Sequence, residues 1–123
     1  MQNILAVAAG GSVGAVARYL LTLGVQRMVP EKLAAAGTLF VNVLGCLLIG
    51  IMMALVERDA VSPTLKLVIV TGLLGSLTTF STFGFETIEL ARGGRTTAAV
   101  MNILLNLAIG LPFVLLGKSL ASA

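Results

Sequence analysis

TGLLGSLTTFSTFGFE, residues 71–86, decides how this chain folds. It lies inside an apolar run, yet six hydroxyls (Thr71, Ser76, Thr78, Thr79, Ser81 and Thr82) are woven among three phenylalanines and three glycines. Gly72 and Gly75 weaken a helix, and Ser76, Thr78 and Thr79 offer the backbone competing hydrogen bonds, so the run predicts a helix broken near residues 75–79. A break frees carbonyls on its N-terminal side and N–H groups on its C-terminal side. In hydrocarbon these must be met by protein, water or an ion. Freed carbonyls are hard oxygen ligands that suit a small cation such as Na⁺. Beyond the break, Phe80 and Phe83 stand three apart on one helical face, while Phe85 points elsewhere. Aromatic edges are electropositive, so two rings turned edge-on can line a route for an anion with no cationic side chain.

The rest of the chain explains why no water is expected around this run. Of 123 residues, 58% are hydrophobic and 11% charged, and the mean hydropathy is +1.07. That composition predicts an all-α membrane protein. A hydrocarbon core about 30 Å thick needs roughly 20 apolar residues per helix, so the chain has room for about four spans. They fall at about residues 4–25, 37–56, 65–90 and 97–120, making residues 1–123 a single four-helix transmembrane domain. QRMVPEK, Glu57-Arg58-Asp59 and ARGGR separate them, and Ser62-Pro63 sets the start of the third. No basic residue precedes the first span and three more follow it, so it reads as retained rather than as a signal peptide.

Several function classes drop out. Histidine and tryptophan are absent, and the single cysteine, Cys46, lies within the second span, where it reads as a small packing residue. No cluster offers a transition-metal site, GGSVG at 10–14 is not a dinucleotide fingerprint, and nothing assembles the catalytic centre of an enzyme. The net charge of +3 is spread singly through loops, so no nucleic-acid patch forms. Its distribution says more. Arg58, Lys66 and Lys118 flank one side of the spans and Arg27, Lys32, Arg92 and Arg95 the other, three against four. So small a bias leaves two outcomes, one orientation if a few loop charges outweigh the rest, or insertion both ways round, in which case opposed copies can pair as an antiparallel dual-topology homodimer. Small residues at Gly10 and Gly14, Gly11 and Ala15, and Gly45 and Gly50 suit close helix packing. Asn42 in the second span and Asn102 and Asn106 in the fourth add uncharged donors, the last two sharing a face.

GGSVGAVARY (10–19), GTLFVNVLGC (37–46) and GLLGSLTTFSTF (72–83) together resemble the signatures of the CrcB/Fluc fluoride channels, in order and across nearly the whole chain. The resemblance implies antiparallel homodimers with two pores and a central structural Na⁺ at the broken third helices. Carried over by position, it puts the pore phenylalanines on Phe80 and Phe83, the pore asparagine on Asn42 and the sodium-binding carbonyls on Gly75 and Thr78. The basic residue of the aqueous mouth falls on Arg18, and Thr79, Ser81, Thr82 and Glu86 map as well. A polar track on the fourth helix falls on Asn102, Asn106 and Gly110. Gly110 is commonly serine in relatives, and Ser76 stands where a second glycine is usual.

The implied function is passive export of cytoplasmic fluoride across the inner (plasma) membrane, lowering fluoride toxicity. Fluoride is strongly hydrated, so a pore must replace its water with donors while rejecting chloride by size. Two rivals fit the length. A small dual-topology multidrug exporter needs a membrane-embedded carboxylate for proton exchange, and Glu86 and Glu89 lie only toward the end of the third span. A non-conducting assembly subunit explains the glycines but not the hydroxyls among the phenylalanines.

Overall fold

The computed structural model describes residues 1–122. Four of its helical stretches, Gln2–Met28, Glu31–Glu57, Pro63–Arg92 and Thr96–Ser122, are long and apolar enough to cross a membrane. No strand occurs among the described residues. Helix α1 covers Gln2–Met28, a short 3₁₀ turn covers Glu31–Leu33, and α2 covers Ala36–Glu57. The third stretch opens with α3 (Pro63–Lys66), widens to π-helical hydrogen bonding over Leu67–Leu74, and tightens again in α4 (Gly75–Leu77). Helical bonding then lapses: Thr78 (φ −82°, ψ 156°) and Thr79 (φ −150°, ψ 112°) are extended. The chain resumes as α5 (Phe80–Arg92) and ends in α6 (Thr96–Ser122).

Local chemistry sets these boundaries. Ser62 caps the third stretch, its Oγ accepting from the Leu65 N–H at 3.2 Å, with Pro63 at the first helical position where a missing N–H does no harm. Gly94 takes φ 76° after α5, a conformation that a Cβ would strain. There the Arg95 N–H reaches back to the Leu90 carbonyl at 2.9 Å and closes the turn.

Packing divides into two seams. Helix α2 lies against α6, and α1 lies against the π segment. In the second seam backbone meets backbone: a Cβ at Gly10 would run into the Val68 carbonyl, one at Gly14 into that of Leu73, and one at Gly72 would sit 2.6 Å from the Val7 oxygen. Only glycine permits that approach. The fully enclosed apolar core is small, chiefly Val41, Ala54, Leu74, Leu77 and Ala99. Large apolar side chains such as Leu115 (71% exposed) and Ile4 (73%) face outward, as they do where lipid is the solvent.

Candidate functional site

The site grows from the two extended threonines. In a continuous helix the Thr79 N–H would bond the Gly75 carbonyl. Here it donates instead to Asn42 Oδ1 at 2.9 Å, and Asn42 Nδ2 reaches back to the Thr79 carbonyl at 3.4 Å. One side-chain amide on α2 thus serves both polar groups of an extended residue that lipid could not serve. The Thr79 hydroxyl caps α5, accepting from the Thr82 N–H at 3.2 Å while it donates to Thr82 Oγ1 at 3.0 Å. Ser81 Oγ lies 3.3 Å from the same hydroxyl. A cap of this kind contributes about 1 kcal/mol.

From Asn42 the polar groups continue onto α6. Asn42 Nδ2 donates to Asn106 Oδ1 at 3.0 Å, and Asn106 Nδ2 donates to the backbone carbonyl (2.9 Å) and Oδ1 (3.3 Å) of Asn102 one turn away. Asn102 Nδ2 then crosses to α5 and donates to Thr87 Oγ1 at 2.9 Å. Thr87 in turn donates to the Phe83 carbonyl at 2.7 Å. Phe80 and Phe83, on the first turn of α5, have ring centroids 5.5 Å apart and planes at 52°. Phe80 is 83% exposed on the single chain, and Phe83 is half-buried.

Two clefts meet at the extended threonines. One, of about 340 Å³, is lined by Gly75, Thr78, Phe80, Asn42 and Cys46, so the positions expected to hold sodium and those expected to line the pore share a wall. The other, of about 430 Å³, opens beside α1 and carries Arg18, Tyr19, Gln26, Thr38, Thr82 and Glu86. Within it Thr38 Oγ1 donates to Glu86 Oε1 at 2.8 Å, while Glu86 Oε2 is buried with no partner. Arg18 Nη1 reaches the Thr78 carbonyl at 3.4 Å. The cleft therefore carries a guanidinium from α1 and a carboxyl from α5 together with uncharged hydroxyls.

A family model described as "CrcB-like protein, Camphor Resistance (CrcB)" matches residues 5–118. This chain belongs to the CrcB family. The fluoride-specific ion channel FluC of Shewanella sp. (strain ANA-3) is 47% identical over 120 residues, covering 98% of this chain and 96% of that protein. Proteins of the same name from Shewanella baltica (strain OS185) and Shewanella oneidensis (strain MR-1) are 47% and 46% identical over the same share of each chain.

Against the CrcB pattern, the two unusual residues of this chain find local partners. Ser76 Oγ donates to the Gly72 carbonyl at 2.6 Å and so binds α4 to the π segment. Gly110 is buried, and a Cβ there would come 3.3 Å from Cys46 Sγ, so at this level α6 meets sulfur rather than the asparagine track. Among the described residues no group of three His, Cys, Asp or Glu gathers at one point. Sequence reasoning missed Thr38 and Thr87. Each stands one helical turn from a residue it did single out, Thr38 before Asn42 and Thr87 after Phe83, and that spacing was the available signal.

Proposed function

We propose that this chain is a fluoride-selective channel that passively exports cytoplasmic fluoride, as a multi-pass protein of the plasma membrane. The observation that carries the reading is the run of uncharged donors from Thr79 through Asn42 and Asn106 to Asn102, set beside the paired rings of Phe80 and Phe83. The names of its relatives supply the ion. Amide N–H groups, hydroxyls and ring edges can replace the water of a small anion, and several moderate sites in series let it leave again. The mouth is the Arg18 cleft, where a guanidinium attracts anions and repels the cationic substrate of a drug exporter.

The functional unit in this proposal is an antiparallel dual-topology homodimer. Its support is the near-even distribution of basic residues and the exposure of Phe80 and Gly75, which a second copy would cover. A structural Na⁺ at the dimer centre fits the residues present. Because the Thr79 N–H turns to Asn42, the Gly75 carbonyl loses its helical partner, and the Thr78 carbonyl takes only the long contact from Arg18. The two carbonyls, from both copies, would hold the ion, which supplies charge to bind the broken helices together and takes no part in conduction.

Liposomes containing only this protein test the reading. Fluoride-loaded vesicles should discharge rapidly and chloride-loaded ones hardly at all; equal rates would rule the channel out. Prolonged dialysis against sodium-free buffer should lower the fluoride rate, and indifference to it removes the Na⁺ site. C-terminal reporters in cells should appear on both sides of the membrane, and a single orientation would exclude the antiparallel dimer.

A further inference from the structure

We infer that Thr87 is a positioning residue that sets the direction in which the asparagine amides of the pathway point; the functional consequence rests on the fluoride-channel reading. An amide side chain can turn by half a rotation and exchange a donor for an acceptor, so its orientation must be imposed by its neighbours. Both ends of this chain of bonds impose the same one. At the α2 end, the backbone N–H of Thr79 can only donate, which forces Asn42 to present Oδ1 and leaves its Nδ2 for Asn106. At the α5 end, the Phe83 carbonyl can only accept, which takes the hydrogen of the Thr87 hydroxyl and leaves that oxygen as the acceptor for Asn102 Nδ2. Asn102 then turns Oδ1 toward Asn106 Nδ2, and the bonds run in one sense from Thr79 to Phe83.

Two consequences follow for the ion. An amide nitrogen carries two N–H groups; Asn106 commits both to Asn102, whereas Asn102 commits one to Thr87 and keeps one donor for a ligand. Were the Asn102 amide turned over, an oxygen would stand in the place of that donor and repel an anion. The chain also begins and ends on one turn of α5, the turn that carries both rings. Thr79 is held from α2, and Phe83 is held through Thr87 from α6. Bonds aligned head to tail polarise one another, so loss of the Thr87 hydroxyl is felt beyond its immediate partner.

Thr87→Val keeps the shape of the side chain and removes the hydroxyl, Thr87→Ala removes it while favouring the helix, and Thr87→Ser keeps it. The full-length chain and these variants are reconstituted, and two quantities are read: the side-chain amide NMR signals of Asn42, Asn102 and Asn106, and fluoride and chloride efflux. Valine and alanine should shift all three amide signals, including that of Asn42, and lower fluoride flux about tenfold, the factor expected for one hydrogen bond to a polar partner. Serine should bring back both the signals and the flux. A shift confined to Asn102, or a fluoride rate unchanged in valine and alanine, would overturn the proposal. So would failure of both variants to fold while serine folds, because Thr87 would then be a folding residue. If the unsubstituted chain passes no fluoride, the channel reading fails, and the amide signals still decide whether Thr87 orients the asparagines.

Discussion

The two halves of the third membrane stretch are held by opposite means. From Pro63 to Leu77 the chain is fixed by bare backbone: Gly10, Gly14 and Gly72 let α1 and the π segment touch main chain to main chain. From Thr79 to Arg92 it is fixed by side-chain hydrogen bonds from both flanks, Asn42 and Thr38 on α2 and Asn102 on α6. The extended threonines are the joint. The difference teaches a division of labour within one helix. The packed half rests on close backbone approach, while the hydrogen-bonded half holds its donors in place with one another. Each half should therefore fail in its own way.

The largest effect belongs to the packed half. Gly72→Val would place its first carbon 2.6 Å from the Val7 carbonyl oxygen, and that neighbour is backbone, which cannot swing aside. Forcing the seam apart should cost about 3 kcal/mol or more, at or above the top of the usual range for overpacking. The expected outcome is loss of folded protein in detergent, seen by size exclusion and by thermal unfolding. A stable Gly72→Val protein would mean that the seam is looser than described.

In the hydrogen-bonded half the contrasting result is lost flux with folding kept. Phe80→Ile or Phe83→Ile preserves apolar bulk and removes the electropositive ring edge. If each ring edge contributes as much as a charged hydrogen bond, about 1.5–3 kcal/mol, fluoride flux should fall roughly 10- to 100-fold. Thermal stability should stay close to that of the unsubstituted protein, because isoleucine keeps most of the apolar bulk at either position. Normal conduction together with dissociated dimers would instead make the rings packing residues and move the pore elsewhere.

The two halves also differed in how well they could be read from sequence. The four spans were legible because hydrocarbon tolerates only long apolar helices, and Asn42, Asn102 and Asn106 stood out against them as polar groups that must find partners. The glycines of the seam between α1 and the π segment were visible as small residues at helical spacing. Their partner was not, because the facing surface is the backbone of the π segment, and a change from α to π bonding has no side-chain signature at Leu67–Leu74. Thr38 and Thr87 were passed over for a related reason. A lone threonine in a helix usually bonds the carbonyl one turn back, as Thr87 does with Phe83, and nothing in sequence shows that its oxygen also accepts from another helix. Arg18 lines the cleft beside α1, but its reach to the Thr78 carbonyl depends on where the extended residues turn.

The smallest expected effect tests why the seam between α1 and the π segment is unforgiving, by repeating a glycine substitution where the neighbour is a side chain. At Gly110 an added Cβ would lie 3.3 Å from Cys46 Sγ, tighter than ordinary contact. The sulfur, however, ends a side chain that can shift by a few tenths of an ångström, whereas the Val7 carbonyl facing Gly72 belongs to a helix. Gly110→Ala should therefore cost no more than about 1 kcal/mol, the low end of overpacking. Removing the neighbour should remove even that. Cys46→Ala opens space at Sγ, so Gly110→Ala should be less destabilising in the Cys46→Ala background than alone, a coupling that a double-mutant cycle of thermal stabilities would read. Additive costs would mean that position 110 is limited by the α2–α6 backbone approach instead, as Gly50 and Gly117 are, whose added carbons would meet the Val114 and Leu47 carbonyls. Coupling is the expected result, because Cys46 Sγ is the one atom near an added carbon at Gly110, while backbone atoms crowd the other two glycines.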